Sequence, residues 1–231
     1  MPLSNTTIVT AHYNECLSWL TCKKDLYQAL VVCDKETAAP IDHALFDKVY
    51  TIPNMGFEVS AFLYYIIANY DNLPEYTAFI HGHETSWHQL HPRGLIAAID
   101  EANMQKYNFV SLNIKPHPQV DNYMIDSVHP IHGLYESIRD LWSTFFEEFL
   151  GPRPTELHHD SCAQFVVSRQ AILRNPLHAY KKWYELAIDP SQNNKLVATM
   201  FELIWHVIFG EDHVCMERDA EYLRARFVVG H

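Results

Sequence analysis

The sequence predicts an α/β fold, a three-layer sandwich with a mainly parallel central sheet. Short β-prone runs, bounded by Pro, Asn or Asp, alternate with longer segments whose apolar residues recur at helical spacing. Strands that alternate with helices in this way form parallel sheets covered on both faces. The chain has 231 residues and no Gly-, Ser- or Pro-rich linker, so residues 1–231 are expected to form a single domain.

Six strands are predicted, because six short runs rich in Val, Ile, Thr, Phe and Tyr each fit the length of a buried strand. The third run ends at Pro53, and Pro74 precedes the fourth. The predicted strands are 6–11, 27–33, 48–52, 76–81, 108–113 and 163–168.

Helices are predicted where apolar residues lie three or four positions apart. Phe62, Tyr65 and Ile66 show this spacing most clearly, which indicates a helix packed between strands. The predicted helices are 16–20, 58–69, 134–150, 170–175, 177–187 and 196–209.

The composition favours a folded, cytoplasmic protein. Hydrophobic residues make up 48% of the chain, which argues against disorder. No apolar run approaches the roughly 18 residues that a membrane helix needs, and the N-terminus lacks the basic-then-apolar order of a signal peptide. The five cysteines contain no Cys-x-x-Cys pair, so reduced thiols are expected.

Charge and missing motifs weigh against several classes of function. The formal net charge of −11 opposes nonspecific binding to nucleic acid, which depends on neutralising phosphates. The chain lacks Gly-x-Gly-x-x-Gly and Gly-x-x-x-x-Gly-Lys-Ser/Thr, the signatures of dinucleotide and P-loop sites. It also lacks the Gly-x-Ser-x-Gly turn of α/β-hydrolases.

The fourth predicted strand ends in His81, Gly82 and His83. If the extended conformation continues through Gly82, the two imidazoles lie on the same face. Ligands of α/β sheets bind beyond the carboxyl ends of strands, so this pair is predicted to hold a divalent metal or a phosphate. The alternative is a hydrogen-bonded histidine pair that caps a buried strand. Trp87 lies beside them in sequence and can stack on a sugar ring.

Polar residues also follow the first two predicted strands. Asn14 and Glu15 can contact a nucleotide or cap the next helix. Asp34 can accept a hydrogen bond from a base or a ribose, or it can be a solvated strand end.

Two carboxylates are candidates for a general base. Asp160 precedes the sixth predicted strand and can take the proton of an acceptor hydroxyl, although a surface turn is the alternative. Glu202 lies in an apolar helix, so it is either functional or paired with a buried partner such as Arg169.

Four segments of the chain together resemble one family. They are 8–20, 65–88 with Phe-Ile-His-Gly-His at 79–83, 162–169, and 202–210 with Glu-Leu-Ile-Trp-His at its start. As a set they resemble the domain of unknown function 3431 family, known from fungi and large DNA viruses. The resemblance spans nearly the whole chain.

The order of elements is also similar to that of nucleotide-sugar glycosyltransferases of the A-type fold. In those enzymes the loop after the first strand cradles the nucleotide, and a strand-end Asp-x-Asp motif holds a metal on the diphosphate. The resemblance implies that the donor nucleotide sugar contacts Ala11, His12, Tyr13, Asn14, Asp34, His81, Gly82, His83 and Trp87.

This resemblance implies a glycosyltransferase that moves a sugar from a UDP- or GDP-linked donor to a carbohydrate acceptor. His81 and His83 replace the Asp-x-Asp motif, and histidines suit Mn²⁺ or Zn²⁺ better than Mg²⁺. Protonated histidines can also neutralise a diphosphate without a metal. Asp160 or Glu202 is the expected catalytic base. The alternatives are a non-catalytic carbohydrate- or metal-binding module and a metal-dependent hydrolase that uses the histidine cluster.

Overall fold

The computed structural model describes residues 3–36, 40–86, 88–89, 91, 93–113, 123–124, 139–154, 156–157 and 162–213. Eight strands lie in these residues, and all six predicted strands are among them. They are β1 (Thr6–His12), β2 (Ala29–Lys35), β3 (Lys48–Ile52), β4 (Tyr76–His81), β5 (Phe109–Ser111), β6 (Tyr123–Met124), β7 (Glu156–Leu157) and β8 (Phe165–Ser168).

Seven α-helices lie in the described residues. One of them, Leu95–Glu101, was not predicted from the sequence. The predicted helix 134–150 is described only from residue 139, with a π-helical turn at Trp142–Phe146. The helices are α1 (Ser18–Thr21), α2 (Phe57–Asn69), α3 (Leu95–Glu101), α4 (Glu147–Leu150), α5 (Arg169–Ile172), α6 (Leu177–Ile188) and α7 (Asn194–Ile208).

The main sheet is mostly parallel, as predicted. Among the described strands its order is β3-β2-β1-β4-β8-β5, and β6 pairs separately with β7. Strand β1 pairs in parallel with β2 and β4, and β2 with β3. Strand β8 is antiparallel to both β4 and β5, so it runs against the other five.

The sheet is covered by helices on both faces, because successive side chains of a strand point to opposite sides. Val9 of β1 packs in one core with residues of α2, α6 and α7. Ile8 packs in a second core with residues of α1 and α3. Both side chains are fully buried, which is why the central strands read as continuous apolar runs.

The strand order creates a crevice between β1 and β4, at the carboxyl ends of these strands. From β1 the chain builds outward to β2 and β3, then returns through α2 to place β4 on the other side of β1. In open α/β sheets, ligands bind at such a reversal, beyond the carboxyl ends of the strands. None of the helices in the described residues combines the length and apolar character that a bilayer crossing requires.

Candidate functional site

A cavity of about 460 Å³ opens at this reversal. The ends of β1, β2 and β4 form its floor, and the loop from β3 to α2 and the start of α7 form its walls. It is lined by Ala11, His12, Tyr13, Glu15, Lys35, Asn54, Met55, Gly56, Phe57, Glu58, His81 and Asn194.

His12 fixes the loop that follows β1. Its side chain is 1% exposed, with Nδ1 2.8 Å from Asp34 Oδ1 and Nε2 2.9 Å from the carbonyl oxygen of Glu15. Both neighbours are hydrogen-bond acceptors, so His12 joins the end of β2 to the loop that follows β1. Asp34 is therefore engaged with His12 at the end of β2, and it is not a solvated strand end.

Glu15 holds the same loop from its other side. Its Oε2 accepts hydrogen bonds from the backbone N–H of Tyr13 at 2.6 Å and of Asn14 at 3.0 Å. Burial raises the pKa of Glu15, but these backbone hydrogen bonds and the nearby His83 outweigh burial and lower it. Glu15 is thus an ionised carboxylate at neutral pH and a weak base.

Gly82 allows the β1 loop to approach the end of β4. A methyl group at Gly82 would come within 3.0–3.1 Å of three side-chain carbons of Glu15. Trp19 Nε1 donates a hydrogen bond to the carbonyl oxygen of Gly82 at 3.1 Å. The absence of a Cβ at Gly82 therefore allows the two strand ends to pack closely.

The two predicted metal-ligating histidines have different environments. Strand β4 ends at His81, so the extended conformation does not continue to His83. The side chain of His83 is 61% exposed, and its Nε2 lies 3.5 Å from Glu15 Oε1. The Nε2 of His81 is buried and has no hydrogen-bond partner among the described residues. Burial lowers the pKa of His81 to about 4, which keeps its imidazole neutral at physiological pH.

The described residues contain no group of three His, Cys, Asp or Glu side chains arranged to hold a metal ion. Glu15 and His83 together offer two ligand atoms. Nearby, His88 Nδ1 lies 2.7 Å from Asn113 Oδ1, and the rings of His81 and His88 are 5.7 Å apart. The prediction of a metal on His81 and His83 stays a prediction.

Lys35, the last residue of β2, anchors the loop that leads into α2. Its Nζ donates hydrogen bonds to the carbonyl oxygen of Met55 at 2.5 Å and to Ser60 Oγ at 3.0 Å. Burial lowers the pKa of Lys35 to about 8, while the negative charge of Glu58 opposes that shift. Lys35 was not among the predicted site residues, because a lysine at the end of a strand gives no signal in the sequence that it is buried.

Two partly buried carboxyl groups interact at the cavity: Glu58, which lines it, and Glu202. Glu58 is in the first turn of α2, and Glu202 is in the middle of α7. Burial raises the pKa of both, and the charge of Glu58 further raises that of Glu202, to about 8. Two buried carboxylates cannot both ionise readily, so the pair retains a proton at neutral pH.

Glu202 does not pair with Arg169, which was one of the two alternatives for this carboxylate. Arg169 is exposed, and its Nε donates to the carbonyl oxygen of Pro74 at 3.3 Å, at the opposite end of the strands. The group that interacts with Glu202 is Glu58. A lone carboxylate in an apolar helix was the signal that selected Glu202, and the same signal is present at Glu58.

Two exposed aromatic side chains stand at the mouth of the cavity. Tyr13 is 48% exposed and Phe57 is 52% exposed. Gly56 and Phe57 have φ angles of 67° and 48°, so the entry to α2 is held in a left-handed conformation that is uncommon for Phe. Unusual backbone geometry of this kind is concentrated at functional sites.

A family model of proteins of unknown function, DUF3431, matches residues 7–223. The chain belongs to the DUF3431 family. No curated protein and no solved structure matches the chain significantly. The family resemblance seen in the sequence is thereby confirmed, and the cavity lies within the matched residues.

The structure brings together some, but not all, of the site residues predicted for this DUF3431 protein. Ala11, His12, Tyr13 and His81 line the cavity. Four more predicted residues are adjacent to the lining. Three of them, Asn14, Asp34 and Gly82, are chain neighbours of lining residues, and His83 lies 3.5 Å from the lining residue Glu15. Glu202 does not line the cavity but interacts with the lining residue Glu58, and Asp160 and Trp87 lie outside the described residues.

Proposed function

We propose that the protein is a glycosyltransferase that moves a sugar from a nucleotide-diphosphate donor to a carbohydrate acceptor. The observation that carries the proposal is the position of the cavity, at the carboxyl ends of β1, β2 and β4 where the strand order reverses. Doubly wound sheets bind nucleotides at this position. The order β3-β2-β1-β4 fits the A-type glycosyltransferase resemblance of the sequence.

The rim of the cavity suits the nucleoside. Tyr13 and Phe57 expose aromatic faces on which a base can stack, and stacking tolerates any base. The hydrogen bonds of His12 and Glu15 hold the loop that carries Tyr13, so part of the nucleoside site is preorganised.

The charge of the cavity favours a metal-assisted mode of diphosphate binding. Its lining includes the carboxylates Glu15 and Glu58 and one cation, Lys35, and His81 is neutral, so acidic groups outnumber basic ones. A diphosphate placed there needs a cation, and Mg²⁺ or Mn²⁺ is commonly held by one or two side chains together with phosphate oxygens. Glu15 and His83 fit that limited role. Mn²⁺, when bound, neutralises the charge that develops on the leaving diphosphate.

The acceptor hydroxyl must lose a proton during transfer. Asp160 is the base preferred from the sequence. Among the described lining residues the carboxylates are Glu15 and Glu58, and they differ in basicity: the pKa of Glu15 is lowered, while burial raises that of Glu58. A raised pKa makes a carboxylate a better base near neutral pH, so Glu58 joins Asp160 as a candidate.

A panel of nucleotides tests the proposal. UDP, GDP or their sugar conjugates are expected to raise the melting temperature in the presence of Mn²⁺, because a ligand of the native state stabilises it by mass action. ATP and dinucleotides are expected to have little effect, because the loop at His12–Glu15 lacks the glycines that those ligands use. Equal stabilisation by dinucleotides contradicts the proposal. Release of free sugar from the donor separates an enzyme from a non-catalytic binding module.

His83→Ala is expected to weaken Mn²⁺-dependent donor binding by roughly tenfold, the range of a lost hydrogen bond or metal contact. The exposed His83 contributes little to the core, so the fold should be retained. His43→Ala is the matched control, since His43 is exposed in the turn before β3 at the other end of the strands. Titration calorimetry with and without chelator gives the affinities. Unchanged affinity of His83→Ala in Mn²⁺ removes His83 from the metal site.

A further inference from the structure

Three buried polar atoms of the cavity residues lack partners. They are Glu58 Oε1, His81 Nε2 and Asn194 Oδ1, and each has no hydrogen-bond partner among the described residues. All three residues line the same cavity. Buried polar atoms are almost always hydrogen-bonded, because an unpaired one loses its contact with water and gains nothing in return. Three such residues around one cavity therefore indicate groups that a ligand satisfies after side-chain rotation.

The chemistry of these three groups selects the class of ligand. A carboxylate oxygen and an amide oxygen accept hydrogen bonds, and an imidazole nitrogen donates or accepts one. Hydroxyl groups match this set, since each hydroxyl both donates and accepts. A purely apolar group leaves all three atoms unpaired.

The inner wall of the cavity, lined by Lys35, Glu58, His81 and Asn194, carries charges of both signs, which disfavours strongly ionic ligands. Lys35 supplies one positive charge, and the Glu58–Glu202 pair holds one negative charge when it shares a proton. The two charges balance, so an anionic ligand meets the carboxyl pair and a cationic ligand meets Lys35. The groups at the diphosphate end, Glu15 and His83, lie on the β1 loop and beyond β4.

We propose that Glu58, His81 and Asn194 form a subsite for an uncharged, hydroxyl-rich ring, the sugar of the substrate. The assignment rests on the proposed function for the identity of the ligand as a nucleotide sugar or its acceptor. In this arrangement the aromatic rim receives the base, and the inner wall receives the sugar.

Saturation-transfer NMR with free glucose, galactose, mannose and xylose tests the subsite, each with and without UDP or GDP. Ring-proton signals are expected from at least one sugar, and both Glu58→Leu and Asn194→Leu should reduce them to background. Asn194→Leu removes an unpaired buried oxygen, so the fold should be retained. Asn72→Leu is the control, because Asn72 is exposed after α2, at the far end of the strands.

The outcomes separate the two proposals. No signal from any sugar, or signals unchanged in both variants, overturns the subsite. Sugar signals that vanish in both variants, with no effect of any nucleotide, support the subsite and overturn the nucleotide-donor proposal. Nucleotide binding with no sugar signal overturns the subsite alone.

Discussion

Glu58→Gln is expected to lower turnover of the nucleotide sugar by roughly a hundredfold or more, the usual loss on removing a general base. Glutamine keeps the length and hydrogen-bonding reach of Glu58 but cannot accept the proton of an acceptor hydroxyl. Donor affinity, measured separately by calorimetry, should change far less. If Asp160→Asn loses turnover while Glu58→Gln retains it, the base is Asp160.

Glu202→Gln distinguishes a catalytic pair from a single catalytic residue. The pKa of Glu202 is raised by burial and by the charge of Glu58, to about 8, so Glu202 is protonated at pH 7. Glutamine mimics that neutral form, and turnover at pH 7 should stay close to that of the wild-type protein. As the pH rises through 8, Glu202 ionises in the wild-type protein and places a second charge beside Glu58. The wild-type kcat/KM should therefore fall over this range more steeply than that of Glu202→Gln.

Other titrating groups face the pair and must be accounted for in that pH profile. Lys35 on β2 and His88 after β4 both act on Glu58, and Lys35 also loses its proton near pH 8. Because Lys35 is present in both proteins, the difference between their profiles reports Glu202. If kcat/KM of the wild-type protein and of Glu202→Gln fall identically at alkaline pH, the interpretation that Glu58 and Glu202 share a proton is wrong. Loss of turnover at pH 7 in Glu202→Gln, with Glu58→Gln active, assigns the base to Glu202.

Most of the fold could be predicted because its signals are local. The central strands are buried on both faces, so each reads as a short apolar run between turn formers, and β3 begins and ends at the predicted residues. Helix α3 was missed because it is only seven residues long and Gly94 before it makes no side-chain cap. The antiparallel direction of β8 depends on the connections between elements, which no local pattern encodes.

The candidate site likewise has residues that could be predicted from the sequence and residues that could not. Four predicted residues line the cavity: Ala11, His12 and Tyr13 were predicted from the family resemblance, and His81 from its position at the carboxyl end of a parallel strand. Lys35, Glu58 and Asn194 were missed, since they come from three separate elements and become informative only when packing removes their water. Burial and mutual charge are tertiary properties, so their effects on pKa could not be obtained from residue types alone.

Gly56→Ala is expected to lower the free energy of unfolding by about 3 kcal/mol or more, the largest stability effect predicted. Gly56 has a φ of 67°, where a residue with a Cβ is disfavoured by roughly 1–2 kcal/mol. The added methyl group would also overlap the carbonyl oxygen of Ala187 in α6 and lie 3.1 Å from Ser60 Cβ. Overpacking of this kind typically adds about 1–3 kcal/mol, because α6 and α2 must separate.

Gly82→Ala is the matched control, because Gly82 also borders the cavity. Its φ is not in the left-handed region, and the three atoms nearest to its added methyl group would be side-chain carbons of Glu15, which can shift by a few tenths of an ångström. The expected loss is therefore about 1 kcal/mol or less, within the range of ordinary substitutions. Urea denaturation followed by circular dichroism measures both. Since α2 begins beside Gly56 and carries Phe57 and Glu58 into the cavity, Gly56→Ala should also weaken ligand binding. Equal stability of the two variants contradicts the view that contact with α6 fixes the start of α2.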